Sequence, residues 1–435
     1  VISYGIDIGT TTARALAVRI IFDSFKRRSV TPVGTALCVF TPFLPDGSLD
    51  ETGILTALRT WAASLPPPEV GTLLFTGEAQ RAVNCLQVSR RLSAEWRGLL
   101  CAQLDPQWES MVAAHGSGAV ALSQSRPGQP VLHIDIGGGT SNFAWIENGS
   151  IADTACLDLG ARKWILDPSS LAIRGRARNT PAIERLLADR WPGSSPLDLP
   201  RLRAVCDRFA EWILDFRRFP DALTVSPWKR DKPAGVQPLY SISGGVAACD
   251  PGDATPFRFG DLGPLLRGSL ASRLGATGVE ARFGDDSGRA TALGVSAFGF
   301  QLSGRSIHAP QGLAFTDLRL VTEADWGAAV GPGAGIAVQL ELDGTGIETL
   351  RAKCRQWQSR LKGTTGAVVF LLRENVGKSL GYLWESEATA PAATVYFLDE
   401  IELDQIGGET GLRTIDLRPM GADRYTVIVK ALRRF

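Results

Sequence analysis

Apolar residues along this chain fall into two rhythms, and each predicts a different kind of element. Over residues 50–65 the positions Ile54, Leu55, Leu58, Trp61, Ala62 and Leu65 repeat at three- and four-residue spacing. That spacing predicts a helix stopping before Pro66-Pro67-Pro68. Leu202, Val205, Phe209, Trp212, Ile213 and Phe216 predict a second helix, whose stripe packs a core rather than holding a cofactor. Short continuous apolar runs predict buried strands instead. One is Thr72-Leu73-Leu74-Phe75, which leads into Thr76-Gly77-Glu78. Further on, strands are predicted at Ile336–Leu340, Ala367–Leu372, Thr394–Leu398 and Tyr425–Leu432, with helices over 348–361 and through Leu380. Strands alternating with helices in this last part imply a small α/β appendage.

One pattern occurs twice. Ile2-Ser3-Tyr4-Gly5-Ile6-Asp7-Ile8-Gly9-Thr10-Thr11-Thr12 precedes the apolar Ala15-Leu16-Ala17-Val18. Later, Val131-Leu132-His133-Ile134-Asp135-Ile136-Gly137-Gly138-Gly139-Thr140 precedes Phe143-Ala144-Trp145-Ile146. Placing Asp7 on Asp135 aligns Ile6 with Ile134, Ile8 with Ile136, Gly9 with Gly137 and Thr12 with Thr140. Each copy reads as an apolar strand ending near an Asp, a glycine-rich turn and a returning strand; Asn148-Gly149 then signals another two-residue hairpin. The pair reads as an internal duplication.

Such a turn has definite chemistry. Successive backbone N–H groups point into one concavity and bind an anion without lysine, threonine hydroxyls add donors, and a strand-end Asp can hold Mg²⁺ or its water shell. Two such turns facing each other would clamp a polyphosphate from both sides. A third segment, Leu239-Tyr240-Ser241-Ile242-Ser243-Gly244-Gly245-Val246-Ala247, runs an apolar strand into a Gly-Gly turn that allows close approach of a ligand. Val376-Gly377-Lys378-Ser379 imitates the end of a P-loop, but Leu372 stands where that motif requires glycine, so a helix start is expected there.

Composition narrows the possibilities. At 435 residues, with 44% hydrophobic and 21% charged, the chain suits two or three globular domains. Lys+Arg 46 against Asp+Glu 45 leaves no field that would track nucleic acid. Seven dispersed cysteines and three scattered histidines speak against a disulfide framework, a zinc site or an iron–sulfur cluster, and favour reduced thiols. Arg174, Arg176 and Arg178 are expected to form a solvated face. No membrane span or signal peptide is evident, so a cytoplasmic location is expected. Turn-rich residues 125–130 mark a hinge, giving expected domains of 1–127, 128–310 and 311–435.

Together the three glycine segments resemble the first phosphate, second phosphate and adenosine loops of the actin, Hsp70 and sugar-kinase superfamily. That resemblance implies an α/β fold of two ribonuclease H-like lobes with nucleotide in the central cleft. Further segments narrow it. Phe75-Thr76-Gly77-Glu78-Ala79-Gln80-Arg81, Cys156-Leu157-Asp158-Leu159-Gly160-Ala161-Arg162, Phe259-Gly260-Asp261-Leu262-Gly263, Arg289-Ala290-Thr291 and Val427-Ile428-Val429-Lys430-Ala431-Leu432 are similar to the ethanolamine ammonia-lyase reactivase family of ethanolamine utilization. The chain departs from it at Ala13-Arg14, where the family tends to have Thr and Gln, at Ala161, where it tends to have Gly, and over 163–237.

The resemblance implies an ATP-dependent, chaperone-like reactivating factor for an adenosylcobalamin-dependent ethanolamine ammonia-lyase, exchanging damaged cobalamin for intact cofactor through slow Mg²⁺-dependent ATPase activity. ATP and Mg²⁺ would be its cofactors. Gly9, Thr10 and Thr11 would cradle phosphate from one lobe and Gly137, Gly138, Gly139 and Thr140 from the other. Asp7 and Asp135 would hold Mg²⁺, and Gly244, Gly245 and Val246 would flank the ribose or α-phosphate. Glu78 is the expected water-orienting carboxylate, with helix capping as its other role. Self-association and association with a bacterial microcompartment stay open, as do a small-molecule kinase and an actin-like scaffold.

Overall fold

The computed structural model describes residues 2–22, 28–68, 70–96, 99–102, 106–188, 191, 197–232, 235–250, 252, 257, 259–284, 300–302, 307–310, 314–326, 335–340, 342–386, 392–399, 401, 412–419 and 425–432. Arg289-Ala290-Thr291 and Gln311 lie outside them. Val1–Phe298 and Gly299–Phe435 form two compact units.

Within the first unit, β1 (Ile2–Ile8), β2 (Thr12–Phe22) and β3 (Arg28–Phe40) form an antiparallel meander. The helix predicted after it is α1 (Glu51–Ala62). It starts where the Asp50 side chain accepts from Gly53 N, and it buries Ile54, Leu55, Leu58 and Trp61. Strand β4 (Val70–Phe75) then pairs parallel with β1. After α2 (Gly77–Arg81) and α3 (Cys85–Glu95), β5 (Leu99–Ala102) joins β4, giving the sheet order β3-β2-β1-β4-β5.

Helices α4 (Pro106–Gly116) and α5 (Ala119–Gln124) lead to a second sheet. Its β6 (Val131–Ile136), β7 (Ser141–Glu147) and β8 (Ser150–Leu157) again form an antiparallel meander. Asn148 and Gly149 close its second hairpin, both at positive φ, as a two-residue turn of matching twist requires. A short ribbon of β9 (Trp164–Leu166) and β10 (Ile173–Arg176) follows. Beyond it come α6 (Thr180–Leu187), α7 (Leu199–Leu214) and β11 (Thr224–Ser226), which pairs with β8. Then β12 (Leu239–Ser243) adds parallel to β6, α8 (Gly244–Ala247) and α9 (Gly263–Thr277) intervene, and β13 (Ala281–Phe283) adds to β12.

The second sheet, β11-β8-β7-β6-β12-β13, therefore repeats the first one's meander-plus-two-parallel-strands order. The duplication seen in sequence is a duplication of topology, and the two sheets are the ribonuclease H-like lobes expected. Each has its own apolar core: Tyr4, Ile6, Leu58, Leu73 and Phe75 in the first, and Phe143, Trp164, Phe209, Ile213 and Leu266 in the second. Both glycine-rich turns sit at the same end of homologous strands.

The second unit is built on a seven-stranded sheet. Phe315–Thr322, Ile336–Leu340, Ala367–Leu372 and Thr394–Leu398 run parallel, and Leu412–Pro419, Tyr425–Leu432 and Phe300–Leu302 extend it antiparallel. Helices Ile347–Arg360 and Gly377–Ser386 connect the parallel strands around a core of Trp326, Trp357, Phe370 and Phe397. The P-loop look-alike begins the second of these helices. No helix among the described residues is long and apolar enough to cross a membrane.

Candidate functional site

The two glycine-rich turns close with the same bond. Gly9 N donates to Thr12 O at 3.1 Å, and Gly137 N donates to Thr140 O at 3.0 Å. Across a cavity of about 280 Å³ they face one another. The approach is close: a Cβ on Gly138 would lie 2.5 Å from Thr11 Oγ1, and one on Gly139 would lie 3.1 Å from Thr10 Oγ1. The third segment completes the wall. Gly244, at φ +88°, turns the chain from β12 into α8 against Ile136, where a Cβ would meet the carbonyl oxygen at 2.5 Å. Gly245 and Val246 line the same space.

Each turn is held from behind by a segment that the sequence singled out. Thr76 Oγ1 donates to Asp7 Oδ1 at 2.9 Å, and Glu78 N donates to Thr10 Oγ1 at 3.0 Å. On the other lobe, Ala161 N and Arg162 N donate to Gly137 O and Gly138 O at 3.1 and 2.7 Å. Leu262 N donates to Ala161 O, and Arg162 Nη1 to Phe259 O. Thr-Gly-Glu and Phe-Gly-Asp-Leu-Gly are therefore supports that fix the turns.

Among the expected site residues, Asp7, Gly9, Thr10, Thr11, Asp135, Gly137 to Thr140 and Gly244 to Val246 all line the one cavity. Glu78 does not. Its carboxylate accepts from Arg81 at 2.9 Å beside the turn, and its backbone does the supporting. The glutamate among the described lining residues is Glu109, in the first turn of α4.

Glu109 is enclosed with two like charges. Burial first, and then Asp7 and Asp135, push its carboxyl up to about 8, against a hydrogen bond with Asn142. Burial also pushes Asp7 up to about 6, opposed by Arg14 and the Thr76 hydrogen bond and reinforced by Asp135. Asp135 is raised by burial too, opposed by its Ser243 hydrogen bond and by Arg14. Three carboxylates thus share one enclosed space. Arg14, the sole Lys, Arg or His among the described lining residues, is the one cation there. It is the cross-strand partner of Asp7 in the β1–β2 hairpin, and the Cβ position of Gly245 lies 3.1 Å from its Nη2.

Hairpin symmetry about the first turn could have paired Arg14 with Asp7 from sequence. Nothing local marks Glu109, because its significance comes from carboxylates about a hundred residues earlier and some twenty-five later. Asp261, 6% exposed, also lines the cavity, accepts from Gly263 N at 2.9 Å and is raised by burial.

These residues fit a phosphate-bearing ligand with a divalent cation. The excess of carboxylates needs positive charge, and Thr11 Oγ1 is buried without a hydrogen-bond partner. Among the described residues no three His, Cys, Asp or Glu side chains converge to hold a metal unaided. A cation here would take phosphate oxygens and water as its other ligands, as Mg²⁺ usually does.

Known proteins are similar to this chain over much of its length. The family model described as "Ethanolamine utilisation protein EutA" matches residues 1–315. The ethanolamine ammonia-lyase reactivase EutA of Escherichia coli K12 is 32% identical over 373 residues, covering 79% of this chain and 77% of that protein. Its Salmonella typhimurium LT2 namesake is 31% identical over 331 residues, covering 70% and 69%. Among solved structures, the ethanolamine utilization protein EutJ from Carboxydothermus hydrogenoformans is 17% identical with a TM-score of 0.34, covering 68% of this chain and 89% of that one. With the match running through both lobes and every segment that builds the cleft, the chain belongs to the EutA family of ethanolamine utilisation proteins.

Proposed function

We propose that the interlobe cleft binds Mg-ATP and that the protein is an ATP-driven reactivase for ethanolamine ammonia-lyase, releasing damaged cobalamin so that intact adenosylcobalamin can replace it. The observation that carries this is the pair of topologically equivalent turns, closed by the same hydrogen bond and opposed across one carboxylate-lined cavity. The names of the two bacterial relatives support the choice of partner.

In this proposal the N–H groups and hydroxyls of Gly9, Thr10 and Thr11 hold phosphate from one side, and Gly137, Gly138, Gly139 and Thr140 hold it from the other. Arg14 contributes a fixed positive charge. Asp7 and Asp135 orient the water shell of Mg²⁺, which when bound neutralises charge on the phosphates. Gly244, Gly245 and Val246 admit the ribose or α-phosphate. Glu109, facing the two aspartates, orients the hydrolytic water, while Glu78 stabilises the first turn through its backbone. Exchange of cofactor on the lyase then requires that nucleotide states of the clamp differ in affinity for that partner.

The direct test mixes the protein with cobalamin-inactivated ethanolamine ammonia-lyase, Mg-ATP and fresh adenosylcobalamin. Recovery of ethanolamine deamination that requires ATP is the expected result. Recovery without ATP, or none with it, overturns the proposal.

A further inference from the structure

On one face of the second lobe, neighbouring strands place four polar side chains together. β6 contributes His133 and Asp135, and β12 contributes Ser241 and Ser243, in the parallel register Ser241↔His133 and Ser243↔Asp135. All four are buried, with His133 and Ser243 at 0% exposure. Ser243 Oγ lies 2.5 Å from Asp135 Oδ1 and 3.1 Å from His133 Nε2. His133 Nδ1 lies 3.2 Å from Ser241 Oγ, and Ser117 Oγ lies 3.3 Å from Nδ1 and 3.4 Å from Nε2. Ser117 comes one residue after α4, the helix that carries Glu109.

Donor counting gives this chain a direction. A serine hydroxyl has one proton. With Asp135 ionised, as cation binding requires, the Ser243 proton is committed to the carboxylate. Ser243 Oγ must then accept from His133 Nε2–H, which leaves Nδ1 as an acceptor for a serine hydroxyl on the other side. Hydrogen bonds therefore run from Ser241 through the imidazole and Ser243 to one oxygen of Asp135, while Ser117 Oγ, which donates to Ala114 O, packs against the ring. The ring also joins three elements: the strand of Asp135, the strand leading to Gly244, and the end of the helix bearing Glu109.

We infer that His133 is a positioning residue for the cleft, holding Asp135 through Ser243 and fixing the strand of Asp135 against the helix of Glu109. This inference rests on the reading of the cleft as a Mg-nucleotide site. A ring that only filled core volume would contribute to stability and leave the dependence on Mg²⁺ untouched. One that orients Asp135 changes that dependence, because outer partners of metal-binding groups typically govern about 10- to 100-fold in metal affinity.

The test titrates Mg²⁺ against a fluorescent ATP analogue bound to the full chain, with parallel titrations in EDTA. His133→Leu and Ser243→Ala are expected each to raise the half-saturating Mg²⁺ concentration roughly tenfold. Affinity in EDTA should stay within about twofold of wild type. The double variant should be no worse than the more affected single variant, since both act through one chain. His133→Gln, which keeps a donor and an acceptor, should recover most of the Mg²⁺ response. Ser243→Ala removes one oxygen, so it keeps the test decisive even if His133→Leu fails to fold. An unchanged Mg²⁺ response in Ser243→Ala, or fully additive losses in the double variant, overturns the inference while leaving the nucleotide site standing. A wild-type chain with no Mg²⁺-dependent nucleotide affinity overturns both.

Discussion

Replacing Glu109 with glutamine should stabilise the nucleotide-free protein at pH 8 and do little for it at pH 5. Enclosure, together with Asp7 and Asp135, raises the carboxyl from its ordinary value of 4.5 to about 8. Between those values the folded chain keeps a proton that the unfolded chain has released. Stability therefore falls as pH rises through that window, and the loss is complete above the folded value. With each tenfold change in proton affinity equal to about 1.4 kcal/mol, the ceiling is about 5 kcal/mol. The carboxyl faces a cavity that admits water, so about 1–3 kcal/mol is the expected size. Glutamine keeps the shape and an acceptor for the Asn142 amide and has no charge to desolvate. Urea denaturation followed by tryptophan fluorescence, at pH 5, 6.5 and 8 in chelator, would give the variant-minus-wild-type difference directly. It should be near zero at pH 5 and grow to about 1–3 kcal/mol in favour of the variant at pH 8. A difference that is flat with pH, or that favours wild type at pH 8, refutes the reasoning.

In steady-state ATPase assays, Glu109→Gln should lower turnover by about 100-fold or more, whereas Glu78→Gln should stay within about twofold of wild type. Asp7→Ala should lower Mg²⁺-dependent turnover by at least about 100-fold, corresponding to the several kcal/mol of charge stabilisation a correctly held cation provides. Gly244→Ala should destabilise the first unit by about 2–4 kcal/mol in denaturant titrations, because φ is +88° and the added carbon meets the Ile136 carbonyl. Gly245→Ala meets the end of the Arg14 side chain rather than backbone and lies outside the positive-φ region, so it should cost less than Gly244→Ala, about 1 kcal/mol, in the same titrations.

Where local chemistry determines structure, the sequence was informative. Apolar runs at Ile336–Leu340, Ala367–Leu372, Thr394–Leu398 and Tyr425–Leu432 coincide with strands, because a buried parallel or central strand must be apolar on both faces. The stripe from Ile54 to Trp61 coincides with α1 for the corresponding helical reason. Strands such as β3 carry no comparable signal. Thr31, Pro32, Val33, Gly34 and Thr35 in β3 show no sustained alternation, and only pairing with β2 makes that stretch a strand. At the site, glycines and aspartates announced themselves through spacing and repetition. Glu109 and the His133–Ser243 chain did not, since each owes its meaning to groups on other elements. The Thr76-Gly77-Glu78 motif is visible, but residue types alone do not show that the Glu78 amide bonds the first turn while its carboxylate pairs with Arg81.

The contact between the turns bears on how such a clamp could act on a partner. Thr11 Oγ1 already occupies the space against Gly138, and Thr10 Oγ1 is engaged by the Glu78 amide while facing Gly139. On the proposed reading, a phosphate tail seated between the turns would press one hairpin away from the other. Neither hairpin can yield alone. β1 and β2 are the inner strands of a five-stranded sheet braced by Thr76, and β6 and β7 are braced by Ala161 and Arg162. Close-packed sheets resist such local deformation, so the displacement is passed to the boundary between lobes as a rigid rotation. One contact there is Phe40 against Phe259, ring centroids 5.6 Å apart. A change of about one phosphate's width at the turns is thus enlarged with distance from the cleft, and the lobe surfaces furthest from it are where a nucleotide-dependent grip on a partner would be felt most.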